Sequence, residues 1–358
     1  MRLPCRLLDV LSFLIPLVIV ATFILVQEQW QRRKAPLNAA LVNMTESTML
    51  TLQDLTPIVD SDDTESIFGS SKVIFFVESS GLAKLSPRQA CTIESVARHS
   101  KGYTLVLLYV HPVRLIKLRE NVALYELLKA HGNIIKVFTI NAPHFLTKLT
   151  PFGTTAKAML EVSPFRANHL SDFLRLSLVL KFGGFYMDLD VLVYRDLTDL
   201  LKLDNFLLTR TNETIGSYFF GFQRGNPMIK KLIDQVISDY VPQYYAVVPN
   251  SMGGAFIGKY NTSVGAVLAK KGKLDDVLIL NSTLFSPLGD WVTYPDLFNE
   301  NKTHLAEDFP KISYGVHIWS YQSGRKTVYL NSTSPIAKLA KDHCPRSFET
   351  SRIFGSFK

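Results

Sequence analysis

The apolar and polar positions divide the chain into three stretches. Val10 to Val26 carries no charged residue. Extended to Leu7, it nears the ~20 apolar residues that a spanning helix needs, and Pro16 within it is tolerated in a membrane helix. The apolar run exceeds the ~7–15 residues of a cleaved signal peptide, and no small-x-small cleavage signal follows Val26. Residues 7–26 therefore read as a retained transmembrane signal-anchor behind a short cytosolic tail, 1–6. Residues 27–71 are polar and weakly periodic, with TESTMLTLQDLTPIVDSDDTES in their midst. Such a segment has too little patterned apolar content to fold alone and reads as a stem. From Lys72 onward the pattern is that of a packed domain, 72–358.

Within that domain apolar runs alternate with helical periods. Val73 to Val77 is a continuous apolar run, as expected of a strand buried on both faces. Ser86-Pro87 opens a helix through Arg98, with serine at the N-cap and proline in the first turn. Thr104 to Val110 is a second buried strand. Residues 114–130 read as a helix stopped by His131-Gly132-Asn133, and Ile134 to Ile140 as a third strand. Leu170, Phe173, Leu174, Leu178 and Val179 share one helical face. Gly183-Gly184 stops that helix, and Phe185-Tyr186-Met187 opens another strand. The alternation predicts an α/β fold with a mostly parallel central sheet. Neither GxGxxG nor GxxxxGK[ST] occurs, which argues against a dinucleotide or P-loop site.

Charge changes the picture little. The formal net charge is +8, but the basic residues are scattered. No Lys/Arg run interleaved with aromatics marks a nucleic-acid groove, so no nucleic-acid partner is expected. Of the three cysteines, Cys5 falls on the cytosolic side of the anchor. Cys91 and Cys344 are left as either one disulfide in an oxidising compartment or two buried thiols. Basic residues flank both sides of the anchor (Arg2 and Arg6; Arg32, Arg33 and Lys34), so the positive-inside rule does not orient it. Glycosylation sequons do. Asn43, Asn212, Asn261, Asn281, Asn301 and Asn331 each head an Asn-x-Ser/Thr triplet, all beyond the anchor. Chance would give roughly two in a chain of this composition, so the body is expected in the lumen.

The candidate chemistry lies in residues 163–196. Asp188 and Asp190 stand at the end of the strand that follows the Gly-Gly stop. On a regular strand, residues i and i+2 point to the same face, and a turn or kink at the strand end can bring both carboxylates toward one cation. Hard divalent ions take such oxygen ligands and share them with substrate phosphates. Ligands of α/β folds bind at strand ends, which raises the otherwise weak signal of Asp-x-Asp.

The segment SDFLRLSLVLKFGGFYMDLDVLVYRDL resembles the donor-site signature of the α1,4-glycosyltransferase family. VIFFVESS, CTIESVARHS, LFSPLGDWVTY, YGVHIWS and HCP also occur, in the family's order, across roughly residues 72–346. The resemblance implies a type II Golgi membrane protein with a GT-A-like nucleotide-sugar-binding fold, retention of anomeric configuration and a manganese cofactor, with Mg²⁺ as the substitute. The implied donor is a UDP-sugar carrying galactose, N-acetylgalactosamine or N-acetylglucosamine. The implied acceptor is a terminal sugar of a glycolipid, as in glycosphingolipid biosynthesis, or of a glycoprotein. It assigns Asp188 and Asp190 to the metal and the catalysis, with His317 of a His-x-Trp (His317, Trp319) completing the metal shell. Asp172, Arg175, Tyr186 and Asp188 fall at donor-binding positions. Each also has a plainer reading: Arg175 as a helix salt bridge to Asp172, His317 as a core histidine, Trp319 as packing. The chain departs from the family at Ile215-Gly216-Ser217-Tyr218, at Asn250-Ser251-Met252-Gly253-Gly254 and at Ser320. These departures motivate the alternative of a Golgi paralogue with little activity that binds a partner or a glycan.

Overall fold

The computed structural model describes residues 72–110, 121–211, 214–245, 248, 262–269, 272–289 and 291–357, with short strands at 51–53, 57–58 and 115–117. The anchor at 7–26 and most of the stem lie outside the described residues. Among the described residues, no helix is long and apolar enough to cross a membrane.

Among the described residues, nine strands form the central sheet. At its heart lie β1 (Val73–Glu78), β2 (Thr104–Val110) and β3 (Ile135–Ile140), all parallel. On the other side of β1 come β4 (Gly184–Met187), parallel to it, and then β7 (Ile215–Phe222), β6 (Phe206–Thr209) and β8 (Val277–Leu280). β7 is antiparallel to both of its neighbours. Two-residue strands, Pro57–Ile58 beside β3 and Lys273–Leu274 beside β8, complete the edges. The first comes from the segment read as a stem; its main chain finds partners in the open edge of β3, which satisfies hydrogen bonds that apolar periodicity does not report.

Alternation along β1 distributes its side chains to two cores. Val73, Phe75 and Val77 pack with helix α3 (Arg166–Phe182) and helix α4 (Pro227–Ser238). Ile74 and Phe76 pack with α1 (Pro87–His99) and α2 (Val122–His131). The sheet is thus covered on both faces, as its near-continuous apolar strands require. α1 starts at a capping box: Gln89 N–H donates to Ser86 Oγ, Ser86 N–H donates to Gln89 Oε1, and Pro87 occupies the first turn.

The expected helix over 114–130 is shorter than its pattern. Only Val122–His131 is helical, while Leu115–Lys117 forms a strand antiparallel to Thr51–Gln53. Leu115-Ile116 fits either period, and cross-strand pairing decides it. Asn121 does not cap the helix. Its side chain accepts from Leu85 N–H and donates to Ala83 O, pinning the preceding loop.

A third apolar cluster gathers Leu192, Tyr194, Val316, Ile318 and Ile336 around Cys91 and Cys344. The two cysteines are joined in a disulfide that links α1 to the end of helix α5 (Pro335–His343) across 253 residues. Asn281, Asn301 and Asn331 are exposed; Asn43, Asn212 and Asn261 lie outside the described residues.

Candidate active site

The site is built where β1 and β4 end. Their parallel register sets Phe75 opposite Tyr186, so Glu78 and Asp188 emerge together at the carboxyl end of the sheet. α3 delivers the neighbouring groups. It is buried nearly all round, because its apolar face meets the core while Asp172 and Arg175 face the site. Gly183 then turns the chain sharply: its φ is +71°, and a Cβ there would lie 2.8 Å from Arg224 N. Glycine meets both demands.

After Met187 the strand breaks. Residues 189–190 form a turn before β5 (Val191–Val193), which pairs antiparallel with β9 (Gly315–His317). The turn at the strand end sets both carboxylates beside His317. One ligand atom each from Asp188, Asp190 and His317 lie within 4.8 Å of one another. Asp188 is fixed from three sides. Its N–H donates to Tyr218 O at 2.8 Å, its Oδ1 accepts the Tyr186 hydroxyl at 2.7 Å, and Arg175 reaches both oxygens at 3.1 and 3.3 Å. Asp190 is held by the chain of β9 and beyond. His317 Nε2 lies 3.1 Å from Oδ1, Ser320 N–H donates to Oδ2 at 2.8 Å, and Ile318 N–H donates to the Asp190 carbonyl at 2.8 Å. The His317 ring lies between Tyr218 and Trp319, with centroids 4.6 and 4.0 Å away.

Arg175 binds Asp172 at 3.2 Å as well as Asp188, donates to the carbonyl and hydroxyl of Ser217 at 2.9 and 3.0 Å, and donates to Ser171 Oγ at 3.2 Å. It also lies over the Tyr186 ring. Both readings of Arg175 therefore have a footing: the helix salt bridge is made, and the guanidinium lines the cavity. Tyr186 does not line it. It is buried behind Asp188, which makes it a positioning residue for that carboxylate and not a surface for a ligand.

Electrostatics follow from this arrangement. Burial pushes the Asp172 carboxyl up to about 6, against the pull of Arg175 and helped by Asp188. Burial likewise raises Asp188, with Arg175 opposing and Asp190 adding to the rise. Burial would raise Asp190 too, but His317, the Ser320 amide and Arg175 outweigh it and hold that carboxyl low. Burial disfavours the Arg175 cation, yet Asp188, Tyr186, Asp172 and Asp190 keep it charged. Three carboxylates thus face one guanidinium. That excess of negative charge, together with an O, O, N donor set, fits a divalent cation.

These groups line a cavity of about 530 Å³, within the range of small-molecule sites. Asp172, Arg175, Asp188, Asp190, His317 and Trp319 all reach it. So do residues that sequence reasoning passed over. Glu78 is 3% exposed. Its Oε1 accepts Ser80 N–H at 2.9 Å, and its Oε2 has no partner among the described residues. Its place at the end of a buried strand was the signal that would have found it. Ser217 and Ser320, two of the departures, lie in the same wall; Asn250 to Gly254 fall outside the described residues.

Two protein families match the chain. Residues 86–207 match the glycosyltransferase sugar-binding region containing DXD motif, and residues 221–351 match the alpha 1,4-glycosyltransferase conserved region. The human lactosylceramide 4-alpha-galactosyltransferase is 25% identical over 291 residues, 78% of each chain. The human alpha-1,4-N-acetylglucosaminyltransferase is 26% identical over 184 residues, half of each. Among solved structures, the glycosyltransferase GlyE of Streptococcus pneumoniae TIGR4 aligns with a TM-score of 0.40 at 13% identity, covering 80% of this chain and 64% of that one.

Proposed function

We propose that the chain is a glycosyltransferase of the α1,4-galactosyl- and N-acetylglucosaminyltransferase family and that it transfers galactose, N-acetylgalactosamine or N-acetylglucosamine from a UDP donor to a terminal sugar. The acceptor is a glycolipid or glycoprotein, and the new bond is α-linked, by preference to the 4-hydroxyl, with retention. The observation that supports this most is the meeting of Asp188, Asp190 and His317 at one cavity beside Arg175. In this reading residues 7–26 anchor the protein in the Golgi membrane as a type II protein, and the domain acts in the lumen.

Asp188, Asp190 and His317 hold Mn²⁺ in this proposal. When bound, the cation neutralises the diphosphate and so stabilises it as a leaving group. The chain's own residues do the rest. Arg175 and Tyr186 fix the orientation of Asp188, and the 317–320 segment fixes Asp190, so that neither carboxylate has to reorganise as the donor binds. Glu78 offers its free oxygen to hydroxyl or imide donors of the nucleotide sugar. Asp172 keeps Arg175 turned toward the site. No side chain is assigned as a nucleophile: in a retaining reaction the departing phosphate oxygen would receive the acceptor's proton. The departures at Ser217 and Ser320 leave this arrangement intact. Ser217 supplies two acceptors to Arg175, and Ser320 contributes a main-chain N–H.

Calorimetric titration of UDP into the full-length protein tests the reading. Mn²⁺ should tighten UDP binding at least tenfold, and Asp190→Ala or EDTA should abolish that gain. Equal UDP affinity with and without Mn²⁺ in the wild type would sink the metal role. Failure to turn over any UDP-sugar on a broad acceptor panel would sink the transferase.

A further inference from the structure

A second cavity, of about 510 Å³, adjoins the first and shares two of its walls, Arg210 and Tyr245. We propose that it is the subsite for the carbohydrate chain of the acceptor, holding the sugar units behind the one that receives the transfer. The inference rests on the transferase reading above and locates a second ligand surface for it.

The lining chemistry identifies the occupant. Phe165, Tyr244 and Tyr245 supply aromatic surface, while Thr211, Gln243 and Arg210 supply hydrogen-bonding groups. Among the described residues no carboxylate lines this cavity, unlike its neighbour. A pyranose ring needs both kinds of surface, because its C–H face is apolar and its rim is hydroxylated. Tyr244 is 54% exposed and Tyr321, at the mouth of the first cavity, is 63% exposed. Large rings left open to water beside a polar hollow mark a binding surface. Burial, and then the carboxylates of Asp190, Asp172 and Asp188, push the Tyr245 hydroxyl up. It therefore remains a proton donor, on a residue that lines both cavities.

The wall is built, not incidental. Tyr245 and Tyr321 stack with centroids 4.0 Å apart at 28°, and Phe165 meets Tyr245 edge-on at 5.5 Å. Asn168 Nδ2 donates to the Tyr245 hydroxyl at 3.3 Å. His169, with no exposed surface, holds the Tyr244 carbonyl from Nε2 at 3.0 Å. A carbonyl only accepts, so Nε2 carries the proton and Nδ1 accepts the Ser163 hydroxyl at 2.8 Å. Asn168 and His169 lie on α3, one turn before Asp172 and two before Arg175. One helix therefore positions the tyrosine wall and the carboxylate site together.

The test uses the full-length chain in detergent with UDP-galactose and Mn²⁺, and lactose and N-acetyllactosamine as probes. Tyr244→Ala, which loses one stacking face, and Gln243→Ala, which loses a hydrogen-bonding group of the same cavity, should each raise the acceptor KM, the former about tenfold. The UDP-galactose KM should stay within twofold and the unfolding midpoint should not move. Ligand-observed NMR should show both disaccharides contacting the wild type and releasing in the variants. Acceptor KM values unchanged in both variants, or disaccharides that fail to bind the wild type, overturn the subsite. Disaccharide binding that Tyr244→Ala weakens, in a protein that turns over no UDP-sugar, upholds the subsite and overturns the transferase.

Discussion

Arg175→Met removes the one cation among Asp172, Asp188 and Asp190. The guanidinium makes ion pairs to the buried Asp172 and the half-buried Asp188 and donates to Ser217 O, Ser217 Oγ and Ser171 Oγ. Stripping a buried carboxylate of its partner costs about 3–5 kcal/mol, and each buried acceptor left without a donor adds about 1 kcal/mol. Protonation of Asp172 or Asp188, both already raised by burial, caps the total, so the expected loss is about 3–5 kcal/mol. Urea unfolding followed by circular dichroism, at pH 7 in EDTA so that no cation stands in for the guanidinium, measures it. Asp188→Asn in the Arg175→Met background should return about 1.5–3 kcal/mol, the coupling expected of groups in contact. A loss below 1 kcal/mol, or strictly additive single-variant costs, would refute the electrostatic account of this cluster.

Three more outcomes follow from the fold. Cys91→Ser frees a loop of 253 residues and should lower stability by about 5 kcal/mol, read as the difference between oxidised wild type and variant in guanidinium unfolding. His99 Nε2 lies 3.1 Å from His343 Nδ1, and burial, followed by His343 and Arg98, lowers His99 to about 4. His343 is lowered as well, chiefly by burial. The fold thus prefers both rings neutral, and that contribution is whole above the unfolded value near 6.5 and lost as the pH falls toward 4. Allowing for partial exposure, about 1 kcal/mol should disappear between pH 7 and pH 5, and His99→Gln should flatten that slope in thermal melts. Gly183→Ala should cost about 1–3 kcal/mol, since it forces a Cβ into a left-handed position against Arg224; an unchanged melting temperature would discount the close approach.

The parts of the fold legible in the sequence are those set by local pattern. Val73–Val77 and Thr104–Val110 read as buried strands because runs without polar residues have few other homes. Gly183-Gly184 announced the end of a helix because few residues tolerate that turn. Asp188 and Asp190 were legible because two carboxylates after a buried strand have a restricted set of uses. The region before Val122 misled because Leu115-Ile116 suits either period, and its partner strand lies more than 60 residues upstream. Glu78, Tyr245 and Asn168 stayed hidden for a different reason. Their roles come from the meeting of one strand end, one helix turn and one loop, which no window along the chain contains. Ser320 reads as a departure from the family, yet the contact it makes with Asp190 is from the backbone.

Trp319 adopts φ 57° and ψ 58°, a conformation that an L-residue holds at some cost. That single reversal lets the imidazole of residue 317 and the amide of residue 320 approach the two oxygens of one aspartate from different directions. Sequence freedom along the segment is consequently uneven. Position 320 should accept any residue that retains an amide hydrogen and should reject proline alone. Position 319 tolerates glycine for its backbone but nothing smaller than an aromatic for its cover over the imidazole. Anyone redesigning the mouth of this cleft has a free handle at 320, one bond away from a position that should not be touched.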